Sequence, residues 1–105
     1  MVDNTTNTPI LEYNPFSWSQ HSSMLYLESP AGVGFSYCDY TPCASNDTTT
    51  AEDLYDAVTG FFAGFGEYSK LPFYISGESY AGIYCPMLAE QIMDKGGVNL
   101  EGCVG

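Results

Sequence analysis

Positive charge is the scarcest feature of this sequence. Its 105 residues carry 13 acidic side chains against two basic ones, Lys70 and Lys95, which gives a formal net charge of -11. Proteins that bind nucleic acid or an anionic membrane surface do so through clustered basic side chains. We therefore expect neither nucleic acid nor a membrane among the partners of this chain.

Histidine and long apolar runs are scarce as well. His21 is the only histidine, so a metal site built on histidines would lack its ligands, and we expect neither a metal nor another cofactor. No apolar run approaches the roughly 20 residues of a membrane-spanning helix. Residues 1–6 do not have the pattern of a signal peptide, and we expect the chain to start within a longer protein.

The four cysteines fall into two kinds. Cys38 and Cys43 bracket a four-residue loop that could close as a small disulfide in an oxidising compartment. Spacing alone does not fix the Cα geometry that a disulfide needs, so the paired and the free states both stay open. Cys85 and Cys103 lie in apolar stretches, which predicts small buried hydrophobic residues.

Apolar patterns predict three strands and two helices. Short apolar runs predict strands over residues 23–27, 71–76 and 100–104. Apolar side chains at helical spacing predict a first helix from Thr50, with Asp53 completing a capping box, to Gly66. The six side chains of its apolar face are Leu54, Ala57, Val58, Phe61, Phe62 and Phe65.

The second predicted helix covers residues 83–95. Pro86 is expected to interrupt it, and Gly96 with Gly97 should end it just after Lys95. Trp18, ahead of the first strand, is expected to be a core or packing residue, and the alternative is an indole that binds substrate. The alternation of strands and helices predicts one α/β domain with a mainly parallel sheet and helices on both faces.

The most informative stretch is residues 77–82, with the sequence Gly-Glu-Ser-Tyr-Ala-Gly, between a predicted strand and a predicted helix. Gly-x-Ser-x-Gly in this context is typical of a nucleophile elbow, a tight turn that exposes the serine hydroxyl. It predicts Ser79 as a nucleophile and the Tyr80 amide as a donor to an oxyanion, with no room for a side chain at Gly77 or Gly82. The alternative is a Gly-Ser turn without chemistry.

Three stretches resemble signatures of the serine carboxypeptidases, a family of lysosomal and vacuolar peptidases. They are residues 77–84 (Gly-Glu-Ser-Tyr-Ala-Gly-Ile-Tyr), 27–37 (Leu-Glu-Ser-Pro-Ala-Gly-Val-Gly-Phe-Ser-Tyr) and 14–18 (Asn-Pro-Phe-Ser-Trp). The resemblance covers residues 11–105. It implies an α/β-hydrolase fold, no cofactor, and release of C-terminal residues from peptides through an acyl-enzyme on Ser79. It also implies a lysosomal, vacuolar or secreted protein.

The resemblance implies a role for Glu78 in binding the free C-terminal carboxylate of a peptide substrate. Glu78 would share a proton with a second acid, which implies an acid pH optimum. The alternative is that Glu78 is an elbow residue at the mouth of a cleft, without a role in recognition.

The catalytic base is missing from this sequence. In α/β-hydrolases the acid and the histidine follow the serine in the chain, and no histidine follows Ser79. His21 precedes the serine and is expected to be a surface or packing residue. We therefore expect residues 1–105 to be a partial domain, truncated at both ends and inactive alone.

Two other functions stay open at this point. A non-catalytic product could at most bind a partner, and an acyltransferase branch with the same fold tends to carry Asp where this chain has Glu78. Two sequons, at residues 46–48 and 4–6, predict N-glycosylation of Asn46 and Asn4.

Overall fold

The computed structural model describes residues 5–105 of the chain, which contain two α-helices and a two-stranded sheet. The four elements are, in order, α1 (Asp47–Gly64), β1 (Phe73–Ser76), α2 (Ala81–Lys95) and β2 (Leu100–Val104). Short 3-10 turns lie at Trp18–Gln20 and Gly66–Tyr68. β1 and β2 pair in parallel around α2, with one register shift between Phe73 and Tyr74. This is the arrangement of an α/β fragment.

Helix α1 begins three residues earlier than the sequence predicts. Its N-cap is Asn46, whose Oδ1 accepts a hydrogen bond from the Thr49 amide at 2.9 Å. The Thr49 hydroxyl in turn accepts from the Asn46 amide at 3.0 Å. Because this reciprocal pair satisfies two amides at the helix start, the capping box is Asn46–Thr49, and the predicted box of Thr50 and Asp53 is wrong. α1 ends at Gly64, two residues before the predicted Gly66.

Helix α2 runs without a break through Pro86, so the predicted interruption is wrong. Proline at this position leaves the Gly82 carbonyl without its helical partner, but Gly82 is exposed and water can take that place. The predicted end is confirmed. Gly96 follows Lys95 with a φ of 76°, and the Tyr55 hydroxyl donates to the Gly96 carbonyl at 3.0 Å.

The core lies between the two helices and one face of the sheet. Its buried cluster takes one residue from α1, one from β1 and three from α2: Val58, Ile75, Cys85, Leu88 and Ile92. Both helices therefore cover the face on which Ile75 lies, and the expectation of helices on both faces is wrong for the part of the chain that the structure describes. The other face is open, with Tyr74 65% exposed.

The apolar face of α1 divides into two groups. Leu54 and Phe62 pack with Val58 at the core, as predicted. Phe61 and Phe65 instead stack on each other, with 4.9 Å between ring centroids, and Ala57 is exposed. The helical pattern located the face but overstated its width.

Residues 5–45 contain no helix longer than a 3-10 turn and no strand. The predicted strand over residues 23–27 is wrong here, because its backbone is separated from β1 and pairs with no strand among residues 5–105. Trp18 is 66% exposed, contrary to prediction, and borders an apolar groove of about 1090 Å³ between this segment, α1 and β1. Neither α1 nor α2 has the length and apolar character to cross a membrane.

The cysteines differ from one another in their surroundings. Cys38 and Cys43 are joined by a disulfide with Cα atoms 5.8 Å apart. Cys43 lies against Gly32, where an added Cβ would be 3.1 Å from the Cys43 Cβ. Cys85 is buried as predicted, but Cys103 is exposed, because its sheet has no further strand in the described chain to cover it.

Candidate active site

Ser79 occupies a strained position in the turn between β1 and α2. Its φ is +60°, in the left-handed region that costs a non-glycine residue about 1 to 2 kcal/mol. Two backbone hydrogen bonds stabilise the turn: the Gly77 amide donates to the Val104 carbonyl, and the Gly82 amide donates to the Ser79 carbonyl, both at 3.0 Å. The turn leaves Ser79 exposed, the geometry described for a nucleophile elbow.

The two glycines that flank the elbow are not equivalent. A Cβ on Gly77 would overlap the Cβ of Ala81 and lie 2.9 Å from the Cys85 sulfur, so β1 can approach α2 this closely only with glycine there. A Cβ on Gly82 would meet no atom within 4 Å. The prediction that Gly82 has no room for a side chain is therefore wrong.

Tyr80 stands at the N-cap of α2 and presents a free amide. That amide makes no hydrogen bond within residues 5–105, and it lies at the positive end of the helix dipole. An anionic oxygen placed over this turn would find an unpaired donor, which is the property an oxyanion hole requires.

The Tyr80 side chain is bound to the start of the other helix. Its hydroxyl donates to the carboxylate of Asp47, at 3.0 Å from Oδ1 and 3.2 Å from Oδ2. This hydrogen bond raises the pKa of Tyr80, and repulsion between the phenolate and the Asp47 charge adds to the effect. Sequence reasoning missed Asp47. Its position directly after the N-cap Asn46 was the available signal, but α1 was predicted to start three residues later.

Glu78 and His21 have contrasting positions. Glu78 lies in the elbow itself, exposed, and its carboxylate has no partner among residues 5–105. His21 is exposed at the end of the 3-10 turn Trp18–Gln20, and its ring makes no hydrogen bond to Ser79 or to any other described residue. The structure therefore brings Glu78, Ser79 and Tyr80 together in one turn and does not bring His21 into contact with them.

A family model described as serine carboxypeptidase matches residues 2–104, nearly the whole chain. The chain belongs to the serine carboxypeptidase family.

Individual relatives agree with this assignment. The chain is 50% identical over 92 residues to the lysosomal protective protein of Mus musculus, a match that covers 88% of this chain and 19% of that protein. It is 48% identical over 98 residues to serine carboxypeptidase-like 21 of Arabidopsis thaliana, covering 90% of this chain and 19% of that protein. It is 43% identical over 93 residues to carboxypeptidase Y homolog A of Phaeosphaeria nodorum, covering 87% of this chain and 17% of that protein. The chain thus spans about a fifth of the length of these relatives.

In this member of the family, the second signature, residues 27–37, folds around Glu28. The Glu28 carboxylate accepts a hydrogen bond from the Phe35 amide at 2.7 Å, and its carbonyl accepts from the Ser36 hydroxyl at 2.7 Å. Gly34 has a φ of +54°, and a Cβ there would overlap the Glu28 carboxylate. Glycine is favoured here because its φ lies in the left-handed region, and a side chain would also displace the Glu28 carboxylate, a contact that the sequence alone did not reveal.

Asn46 of the predicted glycosylation sites is exposed. Its side-chain oxygen caps α1, and its side-chain nitrogen has no hydrogen-bond partner among residues 5–105. The nitrogen that would carry a glycan is therefore unpaired. Asn4, the other predicted site, lies outside the described residues.

Proposed function

We propose that this chain is the nucleophile-bearing segment of a serine-type carboxypeptidase with the α/β-hydrolase fold. The observation that carries the proposal is Ser79 at a φ of +60° between a parallel strand and a helix, in a chain of the serine carboxypeptidase family. The remaining strands, and the triad acid and histidine, belong in this proposal to a longer protein of which residues 1–105 are a part.

The proposed reaction is acyl transfer in two steps. The Ser79 hydroxyl oxygen forms a bond to the carbonyl carbon of the last peptide bond of the substrate, and the serine proton passes to a base supplied from outside this chain. The bond from carbon to nitrogen breaks, the leaving amine takes the proton, and the C-terminal amino acid departs. Water then splits the ester on Ser79. The Tyr80 amide would stabilise the oxyanion in both steps.

Glu78 is proposed to select substrates with a free C-terminal carboxylate. Glu78 adjoins the nucleophile, and no side chain in the described chain forms a hydrogen bond or an ion pair with its carboxylate. A carboxyl group can donate a hydrogen bond to a substrate carboxylate only when it carries a proton, so peptide binding should be strongest in acid. An acid pH optimum suits the lysosomal, vacuolar or secreted location that we propose. We also propose that Asn46 carries a glycan.

The first experiment tests the nucleophile. In the complete protein that contains this sequence, release of the C-terminal amino acid from an N-blocked dipeptide is measured between pH 4 and pH 7. We expect hydrolysis that Ser79→Ala abolishes and that the surface variant Ser69→Ala leaves unchanged. The 105-residue chain alone should be inactive, because no histidine follows Ser79 and His21 does not contact it in the described residues. Hydrolysis that survives Ser79→Ala, or turnover by the chain alone that depends on Ser79, would contradict the proposal.

The second experiment tests Glu78. Glu78→Gln keeps a hydrogen-bond donor but cannot ionise, so KM for peptides should rise less steeply with pH in the variant than in the wild type. Peptide amides, which lack the carboxylate, should show little difference between the two proteins. Equal slopes for peptide acids would mean that Glu78 does not recognise the carboxylate. Acyl transfer to an added alcohol in place of hydrolysis would instead favour the acyltransferase branch.

A further inference from the structure

The hydrogen bond between Tyr80 and Asp47 connects two parts of the chain that are 33 residues apart. Tyr80 is the residue directly after the strained Ser79, and Asp47 is the first residue of α1. Both carboxylate oxygens lie within 3.2 Å of the Tyr80 hydroxyl. The acceptor is a carboxylate, so the bond is charge-assisted, although its 3.0 Å length exceeds the roughly 2.5 to 2.7 Å typical of that class.

Each end of this bond is held in place by its own neighbours. On the α1 side, the reciprocal bonds of Asn46 and Thr49 fix the turn in which Asp47 lies. On the α2 side, the Tyr80 ring packs edge-to-face on Tyr84, with 5.0 Å between centroids. The Tyr80 phenol therefore joins the N-terminal ends of the two helices. The backbone amide of the same residue is the proposed oxyanion donor.

We infer that Tyr80 and Asp47 form a positioning pair, which fixes the direction of the Tyr80 amide and thereby raises the rates of both acyl-transfer steps. The inference rests on the proposed function of Ser79. In this assignment the two side chains do not act on the reacting atoms directly. They act through the backbone between Ser79 and Ala81, which a single anchored side chain can hold in one orientation.

The pair is better suited to positioning than to stability. The Tyr80 side chain is 52% exposed, and exposed polar pairs contribute little to the free energy of folding because water competes for both groups. An oxyanion donor, however, is sensitive to small changes of direction, and complete loss of one such donor lowers kcat by about 100-fold to 1000-fold. A donor that is present but less well directed should cost a smaller factor, on the order of 10-fold.

The test uses the complete protein and compares kcat with KM. We expect Tyr80→Phe and Asp47→Ala each to lower kcat by about 10-fold while KM stays within about twofold. The double variant should be no slower than either single variant, because each removes the same bond. Asp47→Asn keeps an oxygen that can accept from the phenol and should restore most of kcat. Tyr74→Phe and Asp53→Ala, which remove a phenol and an acid without hydrogen-bond partners in the described chain, are the matched controls.

Three results would overturn the inference. They are additive losses in the double variant, an Asp47→Asn variant as slow as Asp47→Ala, and a loss that appears in KM rather than in kcat. The titration of Tyr80, followed by NMR of 13C-labelled tyrosine in the same proteins, separates this inference from the proposed function. An unchanged Tyr80 titration in Asp47→Ala would refute the pair itself. A wild-type protein without peptidase activity but with a shifted Tyr80 titration would refute the proposed function, and with it the role of the pair in catalysis.

Discussion

Residues 46–105 and residues 5–45 both carry many large apolar side chains, and the structure buries them very differently. The six buried apolar residues of the described chain all lie between Ala51 and Ile92. In the first segment, Leu11 is 99% exposed and Phe35 95% exposed. The Cα radius of gyration of 16.4 Å exceeds the roughly 13 Å of a compact domain of this length, as expected when one region packs and the other does not.

This difference shows which part of the fold is built from elements that are adjacent in the sequence. Strand β1, helix α2 and strand β2 follow each other directly in the chain, so the elbow is built from neighbours in sequence. The first segment forms no strand or α-helix of its own. Leu25 and Leu27 line the groove beside α1 and β1, but side chains such as Leu11 and Phe35 find no cover on residues 46–105. The relatives are about five times longer, and we propose that their additional strands and helices supply that surface.

The largest expected effect is at the core. Leu88→Ala removes a side chain that is 96% buried in the cluster between the helices and the sheet, and should lower the free energy of unfolding by about 2 to 5 kcal/mol. Leu11→Ala should change it by less than about 0.5 kcal/mol in the 105-residue chain. Urea unfolding followed by the helical circular dichroism signal measures both. In the complete protein Leu11→Ala should become destabilising. An equal effect on the free energy of unfolding in the 105-residue chain and in the complete protein would show that nothing covers this segment.

A second contrast is between two glycines. Gly77→Ala should destabilise residues 46–105 by about 1 to 3 kcal/mol, because the new methyl group meets the Ala81 Cβ at a fixed distance between β1 and α2. Gly34→Ala strains its own turn, because φ is +54° there, and displaces the movable end of the Glu28 side chain, but it should leave the unfolding of the helices unchanged. Gly82→Ala, with open space around the new methyl group, is the matched control. A Gly77→Ala protein as stable as the Gly82→Ala protein would show that β1 and α2 are less closely packed than described.

What the sequence could predict follows the same division. Strand β2, the end of α2 at Gly96 and the turn around Ser79 depend on local patterns, and the structure has all three. The predicted start of α1 was wrong because the capping box is Asn46 with Thr49, and threonine stands where such a box usually has Glu or Gln. Contacts between distant residues, such as Tyr80 with Asp47, leave no periodic trace in the sequence. The missing strand at residues 23–27 has a similar cause, since a strand needs a partner as well as an apolar run.

Two asparagines give a smaller contrast between the regions. Asn46 caps α1 through its side-chain oxygen, and Asn14 makes the same kind of bond to the Phe16 amide, both at 2.9 Å. Asn46→Ala should lower the free energy of unfolding by about 1 kcal/mol, because the first amides of α1 lose their acceptor. Asn14→Ala should leave the unfolding of the helices unchanged. Equal losses in urea unfolding would mean that residues 5–45 and the helices unfold as one unit.

The smallest expected effect is a pH dependence in the alkaline range. The pKa of Tyr80 is raised in the folded chain, first by its hydrogen bond to Asp47, then by the Asp47 charge, and after these by loss of solvation and by the charge of Tyr84. In the unfolded chain the pKa of a tyrosine is about 10. A raised pKa means that the unfolded state releases its proton first, so the stabilisation from this bond is fully present below pH 10. It is lost as pH rises through the pKa of the folded protein.

Urea unfolding of the wild type and of Tyr80→Phe should therefore differ below pH 10 and converge above it, whereas other tyrosines and lysines affect both proteins equally. In an Asp47→Ala background, removing the Tyr80 hydroxyl should make no difference at any pH. If the difference between wild type and Tyr80→Phe instead stayed constant across this range, the bond to Asp47 would not be the cause of the raised pKa.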